Sequence, residues 1–378
     1  MIPARSGLAR LLALSLAAAL PACSWLPWGG GQKSTLPAIT TNDLSVAWSV
    51  SVGKSGGNLF VPAPTYRGYY AAAADGSVYE LADESGRIVS RFDTKSRLRA
   101  GVGTGENVVV VANEKGDVQV LDGGGRELWR YAVAGEVIAA PLVVQGTVVV
   151  RTADGRMIAL NRLDGKRKWV LQRQTPALTL RSNATGLVHR GVLYAGYPGG
   201  KVLAVEVDTG KPVWEATLSP PRGATELERV ADIAGIPVID DTRVCAAVYQ
   251  GRTGCVETLS GNVLWSREIG SPGGVAVDLK HLYVADSDGT VFALDKTSGS
   301  TVWKQDKLAR REPGTPVVTK GRVLVGDNEG LIHALTLEKG EFSGRVATDG
   351  SRIISLQVSG DRAIAQTEKG GVFAIALR

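Results

Sequence analysis

Reactive side chains are scarce in this 378-residue chain, which holds three cysteines and three histidines. His189, His281 and His333 each stand alone in an apolar, strand-like run, with no second His or Cys at ligand spacing. A zinc site or a His-based active site is therefore not expected, and all three read as structural. Gly53-Lys54-Ser55-Gly56-Gly57 spells a serine nucleophile motif, but that motif needs a strand, a sharp elbow and a helix, and here a Gly-rich connection leads into another strand. The same Gly-Lys-Ser is not a phosphate loop, because Trp48 occupies the place of the required first Gly. Asp286-Ser287-Asp288-Gly289 resembles the start of a calcium loop and lacks the closing Glu. No catalytic residue, metal site or cofactor is expected. The charge balance is 43 basic against 37 acidic residues, dispersed without a basic run, so no nucleic-acid surface stands out.

The cysteines carry more information. Arg5 and Arg10 precede an apolar stretch, Leu11 to Leu20, which is too short to span a bilayer and reads as a secretory signal. Leu20-Pro21-Ala22-Cys23 resembles a lipobox, which makes Cys23 the lipidated first residue of the mature chain; Pro21 departs from the usual small residue. The competing reading is plain cleavage near Ala22 with Cys23 a bystander. Ser24, rather than Asp, after the Cys implies sorting to the outer membrane in lipoproteins of this kind. The expected division is a signal peptide over 1–22, a flexible lipidated tether over 23–43 and one folded unit over 44–378. Cys245 and Cys255 lie symmetrically about Gln250 and Gly251, facing one another across a hairpin. In an oxidising compartment they form either a disulfide or a pair of buried thiols, and spacing leaves both open.

The elements that position these residues follow from repetition. Gly makes up 47 of the 378 residues, and a unit of the form Asp-Gly-x-Val-x-Ala-Leu, then a second Gly, then Trp, recurs along the chain. The first turn glycines are Gly76, Gly116, Gly155, Gly200, Gly251, Gly289, Gly330 and Gly370, at separations of 40, 39, 45, 51, 38, 41 and 40. Each sits between two alternating apolar runs and reads as a hairpin in which Gly supplies a positive φ. A period near 40 with several short strands is propeller spacing. Trp129, Trp169, Trp214, Trp265 and Trp303 mark outer strands, while Ser90 and Gly344 fill the same slot in degenerate units. The eighth turn, Gly370, has no room for an outer strand before Arg378, whereas Trp48 has no turn upstream. The prediction is an all-β, eight-bladed propeller with four antiparallel strands per blade, closed by the N-terminal strand completing the last blade. The Trp rings are expected to stack between blades.

Two connections are oversized. From Trp slot to next turn Gly the usual count is 24 to 28, but it is 31 after Trp169 and 37 after Trp214. Both excesses fall where an outer strand crosses to the next blade, so they emerge on one face from adjacent blades. The first carries Leu178, Leu180 and Arg181; the second runs from Ser219 to Asp232 and includes Glu226 and Glu228. Apolar anchors beside charged guides suit protein docking. Leu178 and Leu180 equally suit the start of an inner strand facing the core, and spacing does not separate the two.

With the export signal, the eight repeats of pyrroloquinoline-quinone-enzyme type, and the segments Pro176 to Arg181 and Thr225 to Asp232, nearly the whole mature chain resembles the BamB family, propeller lipoproteins of the outer-membrane β-barrel assembly machinery. The resemblance implies a non-enzymatic scaffold of the Bam complex at the periplasmic side of the outer membrane. It implies binding to the POTRA domains of BamA and help in delivering unfolded outer-membrane proteins, with membrane contact through the lipid alone. By position, Leu178, Leu180 and Arg181 would form the BamA-binding loop and Asp232 its neighbour. The family tends to carry a second Asp where this chain has Ala234, a place that Glu226 or Glu228 would have to fill. A quinone-dependent dehydrogenase and a sugar-binding propeller are the competing readings, and the first would need calcium ligands not found here.

Overall fold

The computed structural model describes residues 33–176, 178–180 and 185–378; the signal segment, Cys23 and Arg181 lie outside the described residues. From residue 44 the chain forms eight four-stranded antiparallel sheets, arranged as an eight-bladed propeller. Blade 1 spans residues 63–93, blade 2 103–132, blade 3 142–172, blade 4 187–217, blade 5 238–267, blade 6 275–305 and blade 7 317–347. Blade 8 combines residues 353–377 with the first strand, Leu44–Ser51, which pairs antiparallel with Gly371–Leu377. The ring is thus closed as expected, and the free edge of a linear array is removed.

Burial explains the sequence texture. Second strands such as Val108–Ala112 and Thr147–Arg151 are buried at every position, because blades cover both of their faces. Outer strands such as Glu127–Ala132 alternate between exposed and half-buried residues. Apolar clusters bridge consecutive blades: Val110 and Val148 share one between blades 2 and 3, and Trp48 and Tyr69 share one across the closure of blades 8 and 1.

The Trp residues join one blade to the next. Trp48, Trp129, Trp169, Trp214, Trp265 and Trp303 each donate their indole N–H to a carbonyl of the following blade, on Asp83, Arg162, Val207, Thr258, Lys296 and Leu337, at 2.7 to 3.0 Å. Each ring lies flat over the second glycine of that blade. At Gly261, φ is +75° and a Cβ would stand 2.7 Å from the Trp214 ring. In the degenerate first blade Phe92, two residues past Ser90, covers Gly125 instead.

One recurrent device was not read from the sequence. The pairing of third and outer strands shifts by one residue immediately before every Trp slot, as between Ala159 and Leu160 opposite Trp169. The same shift occurs in all seven other blades. These bulges bend the outer strand and aim the slot residue at the neighbouring blade.

Two expectations need correction. Seven of the eight turn glycines have positive φ, but at the fifth turn Gln250 takes the left-handed conformation (φ 48°) and Gly251 does not. A side chain at Gly251 is excluded for another reason, since its Cβ would stand 2.8 Å from Val248 Cγ1 and 2.9 Å from Ser219 Oγ. The tether expected to be flexible up to residue 43 is held from Lys33 onward, by bonds from Lys33 to Glu329 and from Asn42 to Arg345.

Candidate partner-docking site

Turns between second and third strands and crossovers between blades share one face of the ring, so the two long crossovers meet there at blades 3, 4 and 5. The second crossover, 218–237, is built by local chemistry. Thr225 and Glu228 form a reciprocal cap: Glu228 Oε2 accepts from the backbone N–H of Ala224 and Thr225 at 2.8 and 3.2 Å, and Thr225 Oγ1 accepts from Glu228 N–H at 3.3 Å. These donors hold the Glu228 carboxyl below its usual range, the Thr225 N–H contributing most. The turn presents Leu227, 72% exposed, between Glu226 and Arg229, whose side chains approach to 3.8 Å.

Val230, Ala231 and Ile233 then plunge into the core between blades 4 and 5, the last two as members of the shared apolar cluster. Ile233 fills the space left by Gly196, where a Cβ would overlap its side chain. Asp232, between them, is 1% exposed. Its carboxylate accepts from Leu180 N–H at 2.5 Å and from Gly199 N–H at 3.2 Å, and its carbonyl accepts from Tyr249 N–H at 2.8 Å. One buried carboxylate therefore ties the first crossover to the second and to the turn of blade 4. The resemblance implies a partner-facing Asp232; the structure turns it inward, where it positions the loop.

Burial pushes the Asp232 carboxyl above its usual range, opposed by the Leu180 and Gly199 N–H groups and by the Arg151 charge. Arg151 is buried beneath the crossover, with its guanidinium 4.5 Å from the centre of the Tyr197 ring. Desolvation lowers its pKa, against the pull of Tyr197 and Asp232. A buried cation of this kind carries a desolvation cost, which the Tyr197 ring and the Asp232 charge offset in part.

Of the sequence-derived residues, Leu178 is 42% exposed, whereas Leu180 is half-buried and bonded through its backbone N–H to Asp232. Glu226 is exposed and Asp232 buried. Arg181 falls outside the described residues. Leu227 and Ile236 add exposed apolar surface on the second crossover, and sequence reasoning passed over both. The Thr-x-x-Glu spacing at 225–228 was the available signal for the first. Cys245 and Cys255 are register partners on the two middle strands of blade 5, with Cα atoms 4.0 Å apart, and are joined by a disulfide. Among the described residues no group of three His, Cys, Asp or Glu side chains could hold a metal ion.

The chain is thus an eight-bladed β-propeller with two long crossovers on one face, which expose Leu178, Leu227 and Ile236. The family profile "Outer membrane protein assembly factor BamB" matches residues 74–305 and 288–378. A relative of that name from Nitrosomonas eutropha is 38% identical over 98% of this chain and 95% of its own. The crystal structure of BamB from Moraxella catarrhalis superposes with a TM-score of 0.82 at 25% identity, covering 88% of this chain and all of the other. The chain belongs to the BamB family. Quinohemoprotein alcohol dehydrogenase ADHIIG from Pseudomonas putida, at 14% identity and a TM-score of 0.70, covering 89% of this chain and 76% of its own, shares the fold alone. The dehydrogenase reading therefore gives way to a non-enzymatic assembly factor.

Proposed function

We propose that this protein is a lipid-anchored scaffold of the outer-membrane protein assembly (Bam) complex, held at Cys23 and facing the periplasm. It binds the POTRA domains of BamA through the paired crossovers of blades 3 to 5 and helps present unfolded β-barrel proteins for insertion. The observation that carries this reading is the Asp232 tie, which fastens the first crossover to the second so that exposed Leu178 and the Glu226–Leu227 turn stand on one face. Leu178 and Leu227 supply the apolar anchors, Arg181 and Glu226 the charged guides, and Asp232 and Leu180 the support. Tight membrane attachment by lipid needs more than one acyl chain, which a fully acylated N-terminal Cys provides.

The test is a pull-down from detergent-solubilised outer membrane with the wild type and with a Leu178→Ala, Arg181→Ala double variant. Co-purification of BamA with the wild type and its loss from the variant support the assignment. Full retention by the double variant refutes it, and quinone-dependent dye reduction would revive the enzyme reading.

A further inference from the structure

Residues 33–43 form a strap across the outer edge of blade 7. Lys33 Nζ pairs with Glu329 at 2.5 Å, and Leu36 packs on the cluster containing Trp303 and Phe342. Arg345 holds the middle: its Nη2 donates to the Pro37 carbonyl at 3.1 Å. Its backbone N–H donates to Asn42 Oδ1 at 2.9 Å, and its carbonyl accepts from Asn42 Nδ2 at 2.8 Å. At the far end Asp43 N–H donates to the Ser343 carbonyl at 3.1 Å, and its carboxylate pairs with Arg322 at 2.7 Å. Gly344 makes the space, for a Cβ there would lie 3.0 Å from both Asn42 Oδ1 and Leu44 Cγ. The Trp slot left empty in this blade is the seat of the strap.

The grip of Arg345 rests on a buried histidine. Arg345 Nε donates to His333 Nδ1 at 3.2 Å, and His333 Nε2 lies 3.1 Å from Asp327 Oδ2. Nδ1 accepts only in the neutral ring, whose proton is then on Nε2 and donated to Asp327. Asp327 also receives Arg311 Nε at 2.9 Å, and Arg311 Nη2 bonds Glu329 at 2.5 Å, the residue that holds Lys33. One chain of charges thus fastens the strap at Lys33 and again at Pro37. The charged groups facing His333 are Asp327, Arg311 and Arg345, with the Phe342 ring edge-on at 5.8 Å. Burial lowers the His333 pKa, Asp327 pulls it up, and the two arginines push it down further.

We propose that the strap is a pH-sensitive clasp: protonation of His333 removes the acceptor for Arg345, sets two cations against each other, and frees Pro37, Asn42 and the edge of blade 7 at Ser343 and Arg345. The closed state holds the ring neutral, whereas an exposed imidazole titrates near pH 6.5. The contribution of the clasp is therefore complete above about pH 6.5 and is lost as pH falls below it, by up to about tenfold per pH unit until the buried ring itself protonates. Release of residues 33–42 adds up to about 35 Å of reach to the leash. That consequence rests on the lipid anchor proposed above; the clasp itself does not.

Hydrogen exchange read by mass spectrometry on the detergent-purified protein tests the clasp. After correction for the intrinsic pH dependence, exchange of peptides covering 33–44 and 342–347 should rise about fivefold between about pH 6.5 and 5.5, while Thr147–Arg151 in blade 3 stays unchanged. The Glu329 carboxyl, held low chiefly by its bond from Lys33, titrates below this window. His333→Asn should abolish the step. If that variant does not fold, Arg345→Gln, which a protonated ring cannot repel, decides in its place. Absence of the step in the wild type, or its survival in the deciding variant, overturns the proposal.

Discussion

Replacing Asp232 by Ala removes the acceptor for Leu180 N–H and Gly199 N–H while the chain around it stays buried. Hydrogen bonds to a charged acceptor contribute about 1.5 to 3 kcal/mol each, so the two together are worth about 3 to 6 kcal/mol. The charge itself is buried at a cost, as its upward pKa shift shows, and this offsets part of the loss. A net loosening of the crossover by about 3 kcal/mol remains. If the docking-competent loop becomes that much rarer, affinity for the POTRA region falls by about 100-fold, because Kd scales with the inverse of the competent fraction. The loss should appear in titration calorimetry of the purified protein against the soluble BamA POTRA region. Asp232→Asn, which keeps one acceptor oxygen, should fall between the two. Unchanged affinity in a folded Asp232→Ala protein would refute the claim that this carboxylate prepares the docking surface.

Trp214→Ala should lower stability by about 3 to 5 kcal/mol in denaturant unfolding, because it deletes both the ring over Gly261 and the bond to Thr258. Gly261→Ala should also destabilise by more than 1 kcal/mol, since it combines a strained φ with overlap on the same ring; a neutral result would contradict the docking geometry. The Cys245→Ala, Cys255→Ala double variant should lose about 3 kcal/mol, the loop-entropy estimate for a bridge with a sequence separation of 10. Asp240 is held at a pKa of about 2, burial being outweighed by donors on Thr242, Lys296 and Arg243. Its contribution is complete above about pH 4 and is lost as pH falls toward 2, so Asp240→Asn should flatten that limb of an acid-unfolding curve.

The ring was legible because each of its turns demands a small residue at a fixed place, and because Trp stands out at the outer slot. Closure followed from counting, with Trp48 lacking a turn and Gly370 lacking an outer strand. The bulge before each Trp was hidden, since the extra residue merges with a connection of variable length. At the fifth turn the strained conformation moved from Gly251 to Gln250, a shift that composition does not reveal. Leu178 and Leu180 could not be separated by spacing, because their difference depends on Asp232, 52 residues past Leu180. The strap was missed for the same reason: Asn42 meets Arg345 across 303 residues, so Gly344 read as decay rather than as a seat.

The central claim is that the face bearing the two long crossovers docks the assembly machinery. A photo-crosslinking residue placed in living cells at position 178 or 227, and separately at exposed Leu163 or Leu279 on the opposite face, tests it most directly. Adducts with BamA from 178 and 227, and none from 163 or 279, are the predicted result. BamA adducts from 163 or 279 alone would contradict it.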